Sequence, residues 1–176
     1  MAQIVERLAV TGCSLVVLGM GLLSIPNSTK VQAVVPPQLA QTHSSEAKGQ
    51  MLPITAQAMI GSQLIQLEVA QTPQQQAMGL MFRTSLSPSR GMLFSFQQPR
   101  VVGFWMKNCK ISLDMIFLRD GVVQRIEGSA PPCTSEPCPS YSSGVPVDQV
   151  IELRGGRAKE LGVKAGDRIV IQSVSE

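Results

Sequence analysis

The chain has 176 residues, 44% of them hydrophobic and 15% charged, and a formal net charge of +3. This balance predicts one globular domain that carries an apolar leader. The basic residues are scattered and only 4% of residues are aromatic, which argues against nucleic acid as a partner. The only histidine, His43, lies in a polar stretch, so no histidine-based catalysis or metal binding is expected in the domain.

The N-terminus has the pattern of an export signal. Residues 8–25 form an uncharged, mostly apolar run that Pro26 ends, and Val31-Gln32-Ala33 has small residues at the spacing that a signal peptidase requires. Residues 1–33 are therefore predicted to be a signal peptide. Because the run at 8–25 is also close to the length that spans a bilayer, an uncleaved membrane anchor is the alternative. Both interpretations predict an extracytoplasmic protein, periplasmic or secreted, that touches a membrane only through this segment.

A polar segment without periodicity precedes the first predicted hairpin. Residues 34–52 contain prolines, glutamines and serines without a sustained period, which is typical of a flexible linker. A single globular domain is then predicted over residues 53–176. It begins with two apolar strands, 54–60 and 64–70, on either side of the two-residue turn Gly61-Ser62.

A short helix is predicted after the first hairpin. Thr72 is a good N-cap, Pro73 suits the first helical position, and Gln75 completes a capping box. The helix is expected to end at about Met81.

The rest of the domain reads as strands with one more helix. Strands are predicted at 92–96, 101–106, 115–118, 122–126, 147–153 and 168–174. Asp120-Gly121 is a hairpin turn signal, and a helix is expected at 157–161 before Gly162. These elements predict a mainly β (α+β) fold, a small barrel-like or strongly bent antiparallel sheet with two short helices.

A long loop over residues 128–145 contains two of the four cysteines, Cys133 and Cys138. Their spacing is not that of a thioredoxin-like motif, and no second pair or nearby histidine completes a zinc site. A disulfide between them is the simplest expectation for an oxidising compartment. A bridge from Cys109 to either of them is the alternative.

Four short motifs occur within the domain. They are Gly79-Leu80-Met81-Phe82-Arg83, Gly91-Met92-Leu93-Phe94, Phe104-Trp105-Met106-Lys107-Asn108 and Leu113-Asp114. In order and spacing they resemble the domain-of-unknown-function family 192 (DUF192) of bacteria and archaea, whose members often follow an export signal. The resemblance covers residues 54–175 and implies no reaction, substrate or cofactor. Met78, Cys109 and Ser112 depart from the family's common residues, so no site is expected to depend on position 78 or on a proline-fixed bend at position 112.

The candidate site lies in residues 104–118, which hold the only tryptophan and, inside an apolar run, Asp114. A buried carboxylate needs a cation or several hydrogen-bond donors. Lys107, Arg83 and Asn108 are the motif residues that can supply them. One interpretation is a buried polar network that holds a bend between two strands, and the other is a ligand-binding site.

In the ligand-binding interpretation, Trp105 forms a flat apolar wall, Lys107 offers a positive charge and Asn108 an orienting amide. Asp114 would accept a hydrogen bond or act as a base, and Arg83 would clamp a carboxylate or phosphate. The sequence thus predicts a module for a small-molecule or envelope ligand, with no catalytic residue, metal or cofactor assigned. The alternatives are an enzyme that uses Asp114 and Lys107 as an acid–base pair on a small anionic or carbohydrate-like substrate, and a structural accessory module of the cell envelope.

Overall fold

The computed structural model describes residues 48–174. The predicted leader, residues 1–33, and linker residues 34–47 lie outside the described residues. Within residues 48–174, no helix has the length and apolarity needed to cross a bilayer.

Strands dominate the described chain, which confirms the mainly β prediction. In chain order the elements are β1 (Ile54–Ile60), β2 (Gln63–Ala70), α1 (Pro73–Met78), β3 (Arg90–Arg100), β4 (Gly103–Trp105), β5 (Leu113–Arg119), β6 (Val122–Ala130), β7 (Ser140–Ser142), β8 (Val147–Arg154), α2 (Arg157–Glu160) and β9 (Ile171–Ser173).

Seven of these strands form one mixed sheet in the order β6-β5-β8-β3-β2-β1-β9, and β4 pairs with β7 in a separate two-stranded sheet. The sheet is mixed, not antiparallel throughout, because α1 and the loop after it carry the chain back across the sheet, so that β3 runs parallel to β2. It does not close into a barrel, although Arg168, just before β9, forms a single bridge to Val122 of β6.

The predicted local signals are found where they were expected. The Thr72 side chain accepts a hydrogen bond from the Gln75 N–H, and the Gln75 side chain accepts one from the Thr72 N–H, which is a complete capping box. α1 ends at Met78, earlier than predicted, because Gly79 leaves the helical region with a φ of 48°. Asp120 and Gly121 both have positive φ, as a tight hairpin turn between β5 and β6 requires.

The main sheet separates two apolar cores, because successive side chains of a strand point to opposite faces. β5 is buried on both sides: Ile116 and Leu118 belong to the first core, and Met115 and Phe117 to the second. The first core also contains Ala158 of α2, and the second contains Leu80 and Met106 from outside the main sheet, with Phe104 packed against it.

One row of side chains on the second face alternates glutamate with methionine. Glu68 is opposite Met92, Met92 is opposite Glu152, and Glu152 is opposite Met115 on neighbouring strands. All four residues are buried. Two carboxyl groups therefore lie within an apolar face, where each is unfavourable unless other groups compensate for the lost water.

The described end of the predicted linker lies on the domain. The Gln50 side-chain amide donates to the carbonyl oxygens of Gln75 (2.8 Å) and Gly79 (3.0 Å). The Leu52 N–H donates to Glu68 Oε2 at 2.8 Å. The polar composition of this segment predicts a flexible linker, but the Gln50 side chain and the Leu52 N–H are hydrogen-bonded to the domain.

Candidate functional site

Asp114 is fully buried, and its hydrogen-bond donors are backbone amides. Its Oδ1 accepts from the N–H groups of Ser129 (2.7 Å) and Gly156 (2.8 Å), and its Oδ2 accepts from the N–H of Ala158 (2.6 Å). Gly156 and Ala158 belong to the start of α2. The carboxylate therefore fastens α2 to β5 and satisfies amides that the first turn of a helix leaves free.

Lys107 and Arg83 have other carboxylates as partners. Lys107 Nζ lies 2.8 Å from Glu136 Oε1, and both side chains are exposed. Arg83 is buried and donates to both oxygens of Glu68, at 2.9 and 2.5 Å. The expectation that either cation pairs with Asp114 is wrong, because the donors to Asp114 are three backbone N–H groups and each cation pairs with a glutamate.

Arg83 clamps an internal carboxylate, that of Glu68. Its Nε and Nη2 also donate to the Gln50 carbonyl oxygen, at 3.0 and 2.6 Å. Burial opposes ionisation of Glu68, but hydrogen bonds from Arg83 and Leu52, the Arg83 charge and a hydrogen bond from Arg90 hold the pKa of Glu68 below its usual value. This ion cluster lines a pocket of about 400 Å³. Its main visible effect is to hold the segment at Gln50 on the sheet.

Asn108 has a structural role that its backbone conformation explains. Its φ is 57°, in the left-handed region that asparagine tolerates better than most residues. Its carbonyl oxygen accepts the Phe82 N–H at 2.9 Å, and its exposed side-chain amide lies 3.9 Å from Met81 Sδ. Asn108 therefore joins the motif around Trp105 to the motif that ends at Arg83.

Trp105 is a predicted residue that lines a groove with an exposed side chain. It lies at the end of β4, opposite Ser140 of β7, and is 51% exposed. The adjoining groove has a volume of about 340 Å³. Its lining includes Phe94, which belongs to the second core, and Phe104, which packs against that core; their rings meet edge to face at 5.0 Å. The wall beside Trp105 is therefore anchored in the packed interior.

Two cations lie over aromatic rings of the groove. Arg100 Cζ is 4.6 Å from the centre of the Phe96 ring, and Lys107 Nζ is 5.4 Å from the centre of the Trp105 ring. Both distances are in the range of cation–π attraction. Arg100 is exposed and forms no ion pair with any residue in 48–174. Its charge is therefore accessible from the groove.

The groove continues past Arg100 toward α1. A second depression of about 500 Å³ shares Gln76, Phe96 and Arg100 with the first. Gln71, Gln97 and Gln98 line this part with exposed side-chain amides. Among the described residues, no aspartate or glutamate lines either part. We refer to the two parts together as the Trp105 groove.

The loop that carries the disulfide approaches one end of this groove. Cys133 and Cys138 are bonded as predicted, with their Cα atoms 5.6 Å apart. Glu136, between them, accepts the hydrogen bond from Lys107 that lowers the pKa of the Glu136 carboxyl. The bonded loop thus provides the partner for the cation over Trp105.

Cys109, which the alternative pairing would have bonded, is a buried free thiol whose pKa is raised to about 11 by burial and by the nearby Glu152. Within residues 48–174, no group of three or more His, Cys, Asp or Glu side chains is arranged to hold a metal ion.

Glu152 is the unusual residue that the sequence patterns did not identify. It is 4% exposed, and its Oε2 has no hydrogen-bond partner among the described residues. Burial raises its pKa to about 8. A Cβ at Gly79 would lie 3.8 Å from this oxygen, so the carboxyl group lies under the end of α1. The signal that reveals Asp114, an acid between apolar residues, is also present here in Ile151-Glu152-Leu153.

Comparisons with known proteins give one family and two similar structures. The family model DUF192, described as an uncharacterized ACR, matches residues 54–171. A structure from Sinorhizobium meliloti 1021, of a protein proposed to be a transcription regulator, is 36% identical with a TM-score of 0.61, over 71% of this chain and 98% of that one. A structure of a protein of unknown function from Novosphingobium aromaticivorans DSM 12444 is 32% identical with a TM-score of 0.60, over 71% of this chain and 94% of that one. None of the curated proteins matches the chain.

Proposed function

The chain belongs to the DUF192 family, whose description assigns no activity, and on that premise we propose that its domain is a ligand-binding module with its site in the Trp105 groove. The observation that carries the proposal is the indole of Trp105, which is 51% exposed beside a groove. Large aromatic side chains gain much from burial and are enriched at binding sites. The two parts of the groove, about 340 and 500 Å³, have the size of ligand pockets.

The groove favours a ligand with a flat apolar face and a negative charge. Trp105 and Phe96 offer apolar surface. Lys107 lies over the Trp105 ring, and Arg100 lies over the Phe96 ring. A guanidinium can hold a carboxylate or phosphate through two parallel hydrogen bonds. Of the residues predicted from the sequence, we assign Trp105 and Lys107 to the ligand. We assign Arg83 and Asp114 to the fold because both are buried with internal partners, and Asn108 because its left-handed backbone joins two motifs.

The geometry does not favour the enzyme that uses Asp114 and Lys107 together. Asp114 lies under α2 with its oxygens bonded to amides, and Lys107 is paired with Glu136 beside Trp105. An acid–base pair needs both groups within reach of one substrate. We therefore propose binding and not catalysis, and a groove that binds no ligand would favour the structural accessory module.

The role proposed for the Sinorhizobium meliloti protein does not change the ligand that we propose here. The two helices described in residues 48–174 have six and four residues. A helix-turn-helix protein reads the major groove with a recognition helix of several turns. We propose a small or extended ligand as the partner, and not nucleic acid.

We also propose that the domain acts outside the cytoplasm. The apolar run at 8–25 and the bond between Cys133 and Cys138 support this, because disulfides persist mainly in oxidising compartments. Cell fractionation and N-terminal sequencing of the natural protein test it. A mature chain that begins after Ala33, or a full chain in the membrane fraction, would support export, whereas a full chain in the soluble cytosol would refute it.

The binding proposal can be tested with the tryptophan itself. Because Trp105 is the only tryptophan, its emission reports directly on the groove. Titration of the purified full-length protein with anionic and neutral metabolites and oligosaccharides should give a saturable change in emission for at least one ligand. Calorimetry with Trp105→Ala should then show a loss of binding of at least about tenfold, as expected for a central aromatic contact.

A control variant separates local from general effects. Leu64→Ala removes an apolar side chain that is 46% exposed in the first hairpin, far along the sheet from the groove, and should bind normally. The proposal is refuted if no ligand changes the emission, or if Trp105→Ala binds as well as the unchanged protein.

A further inference from the structure

We propose that the Trp105 groove binds an acidic carbohydrate chain, that is, an oligosaccharide whose sugar units carry carboxylates. This inference rests on the proposed binding function and adds the chemical class of the ligand. It depends on three features of the groove: its aromatic faces, its amide side chains and its charge.

The aromatic and amide side chains together match the two-sided chemistry of a sugar ring. A sugar ring has an apolar face of C–H groups and a rim of hydroxyl groups that both donate and accept hydrogen bonds. Trp105, which is half exposed, provides a flat face in one part of the groove, and Phe96 lies beneath Arg100 where the two parts meet. Gln97 and Gln98 provide amides, which also donate and accept, in the part that continues toward α1.

Gln76 connects the two parts of the groove. Its Nε2 donates to the carbonyl oxygens of Ala70 and Ser95, both at 3.2 Å. These bonds hold the side chain in place, and its amide oxygen remains an acceptor. A chain of sugars lying along the groove would therefore meet a positioned amide between the Trp105 and Gln97 ends.

The charge of the groove selects acidic sugars over neutral ones. Arg100 is shared by both parts and is exposed, and within the described chain no acidic residue lines the groove. Lys107 adds a second positive charge over Trp105, which Glu136 partly offsets. A carboxylate on a sugar in the region that the two parts share would lie beside the exposed Arg100 guanidinium, which the Phe96 ring supports from below.

The openness of the site favours a chain over a small aromatic acid. Trp105 and Val101 are 51% and 56% exposed, so a small molecule at Trp105 would leave much of the groove uncovered. Binding sites for drug-sized molecules usually enclose most of the ligand surface. An extended ligand would cover both parts of the groove at once.

The backbone of β3 disfavours a peptide as the extended ligand. Peptides often bind by adding a strand to a regular sheet edge. Here the pairing of β3 with β8 is interrupted between Ser95 and Arg100, and Pro99 in this stretch has no N–H to donate. Recognition in this part of the groove therefore relies on side chains.

The test uses full-length protein, Trp105 emission and four defined probes. These are an oligogalacturonate, a neutral cello-oligosaccharide of the same length, poly-L-glutamate and phenylacetate. We expect the oligogalacturonate to bind at least about tenfold more tightly than the neutral chain. Arg100→Gln should remove most of this difference. The matched control Lys159→Gln removes an exposed charge on α2, away from the groove, and should retain it.

The outcomes separate this inference from the function on which it rests. Tight binding of the oligogalacturonate that depends on Arg100 supports both. Binding of poly-L-glutamate or phenylacetate without binding of either oligosaccharide overturns the carbohydrate inference but leaves a binding groove. Equal binding of the acidic and neutral chains overturns the acidic specificity. No response to any probe overturns the inference, while the wider metabolite titration decides whether the groove binds anything.

Discussion

Replacing Glu152 by glutamine is expected to stabilise the domain at pH 8 and to flatten its pH dependence between pH 5 and 8. The Glu152 carboxyl is 4% exposed, and burial raises its pKa from 4.5 to about 8. In this window the folded protein holds a proton that the unfolded chain has released. The free energy of unfolding therefore falls as the pH rises, by at most about 1.4 kcal/mol per pH unit.

The size of the effect follows from the width of that window. A shift from 4.5 to about 8 corresponds to about 5 kcal/mol of stability that is present at low pH and lost at pH 8. Glutamine cannot ionise, but its amide remains buried with poor hydrogen bonding, which costs about 1–3 kcal/mol. We therefore expect Glu152→Gln to raise the free energy of unfolding at pH 8 by about 2–4 kcal/mol, and to give no gain at pH 5.

Urea unfolding followed by far-UV circular dichroism at several pH values measures this directly. Glu127→Gln is the matched control, because Glu127 lies opposite Met115 in the same row but is paired with Arg125. The other buried groups act outside the window. The pKa of Glu68 is lowered, so its contribution to the free energy of unfolding is lost only below pH 4.5. The pKa of Cys109 is raised to about 11, so this thiol does not ionise between pH 5 and 8 in the folded protein. The reasoning is refuted if the unchanged protein and Glu152→Gln have the same slope between pH 5 and 8.

Three further substitutions test the roles assigned to predicted site residues. Arg83→Met should cost at most about 3–5 kcal/mol in urea unfolding, because it removes the closer of the two cations that pair with buried Glu68, while Arg90 remains. The double variant with Glu68→Leu should recover part of the loss, and no recovery would contradict the pairing. Asp114→Asn should cost about 1–3 kcal/mol, because an amide nitrogen cannot accept from the α2 N–H groups, and an unchanged melting temperature would contradict this. Lys107→Met should change stability by less than about 1 kcal/mol, since its ion pair is exposed, and a larger loss by calorimetry would show a structural role.

Local signals in the sequence predicted local structure well. The Thr72 capping box and the Asp120-Gly121 turn depend on residues a few positions apart, and both are found. The parallel pairing of β2 with β3 could not be read in the same way, because it depends on where α1 and a loop return the chain. β7, with three residues, is too short to give a period.

The site was predicted in part, because the sequence shows which residues are unusual but not which face they occupy. Asp114 lies on the first face of the sheet, and its donors at Gly156 and Ala158 are 42 and 44 residues away in the chain. Trp105 opens on the side of the second core. Glu152 was missed because its burial depends on the end of α1, which is distant in the sequence and covers the carboxyl group.

The position of β8 limits when this chain can fold. β8 lies between β5 and β3 and joins the β5–β6 hairpin to β1, β2 and β3, yet it is formed by Val147–Arg154, near the C-terminus. A growing chain on the ribosome would lack the strand that unites the sheet until these residues had been made, and long-range pairing of this kind is slow. The β5–β6 hairpin and the strands β1, β2 and β3 would therefore remain two separate parts of the nascent protein until β8 had emerged.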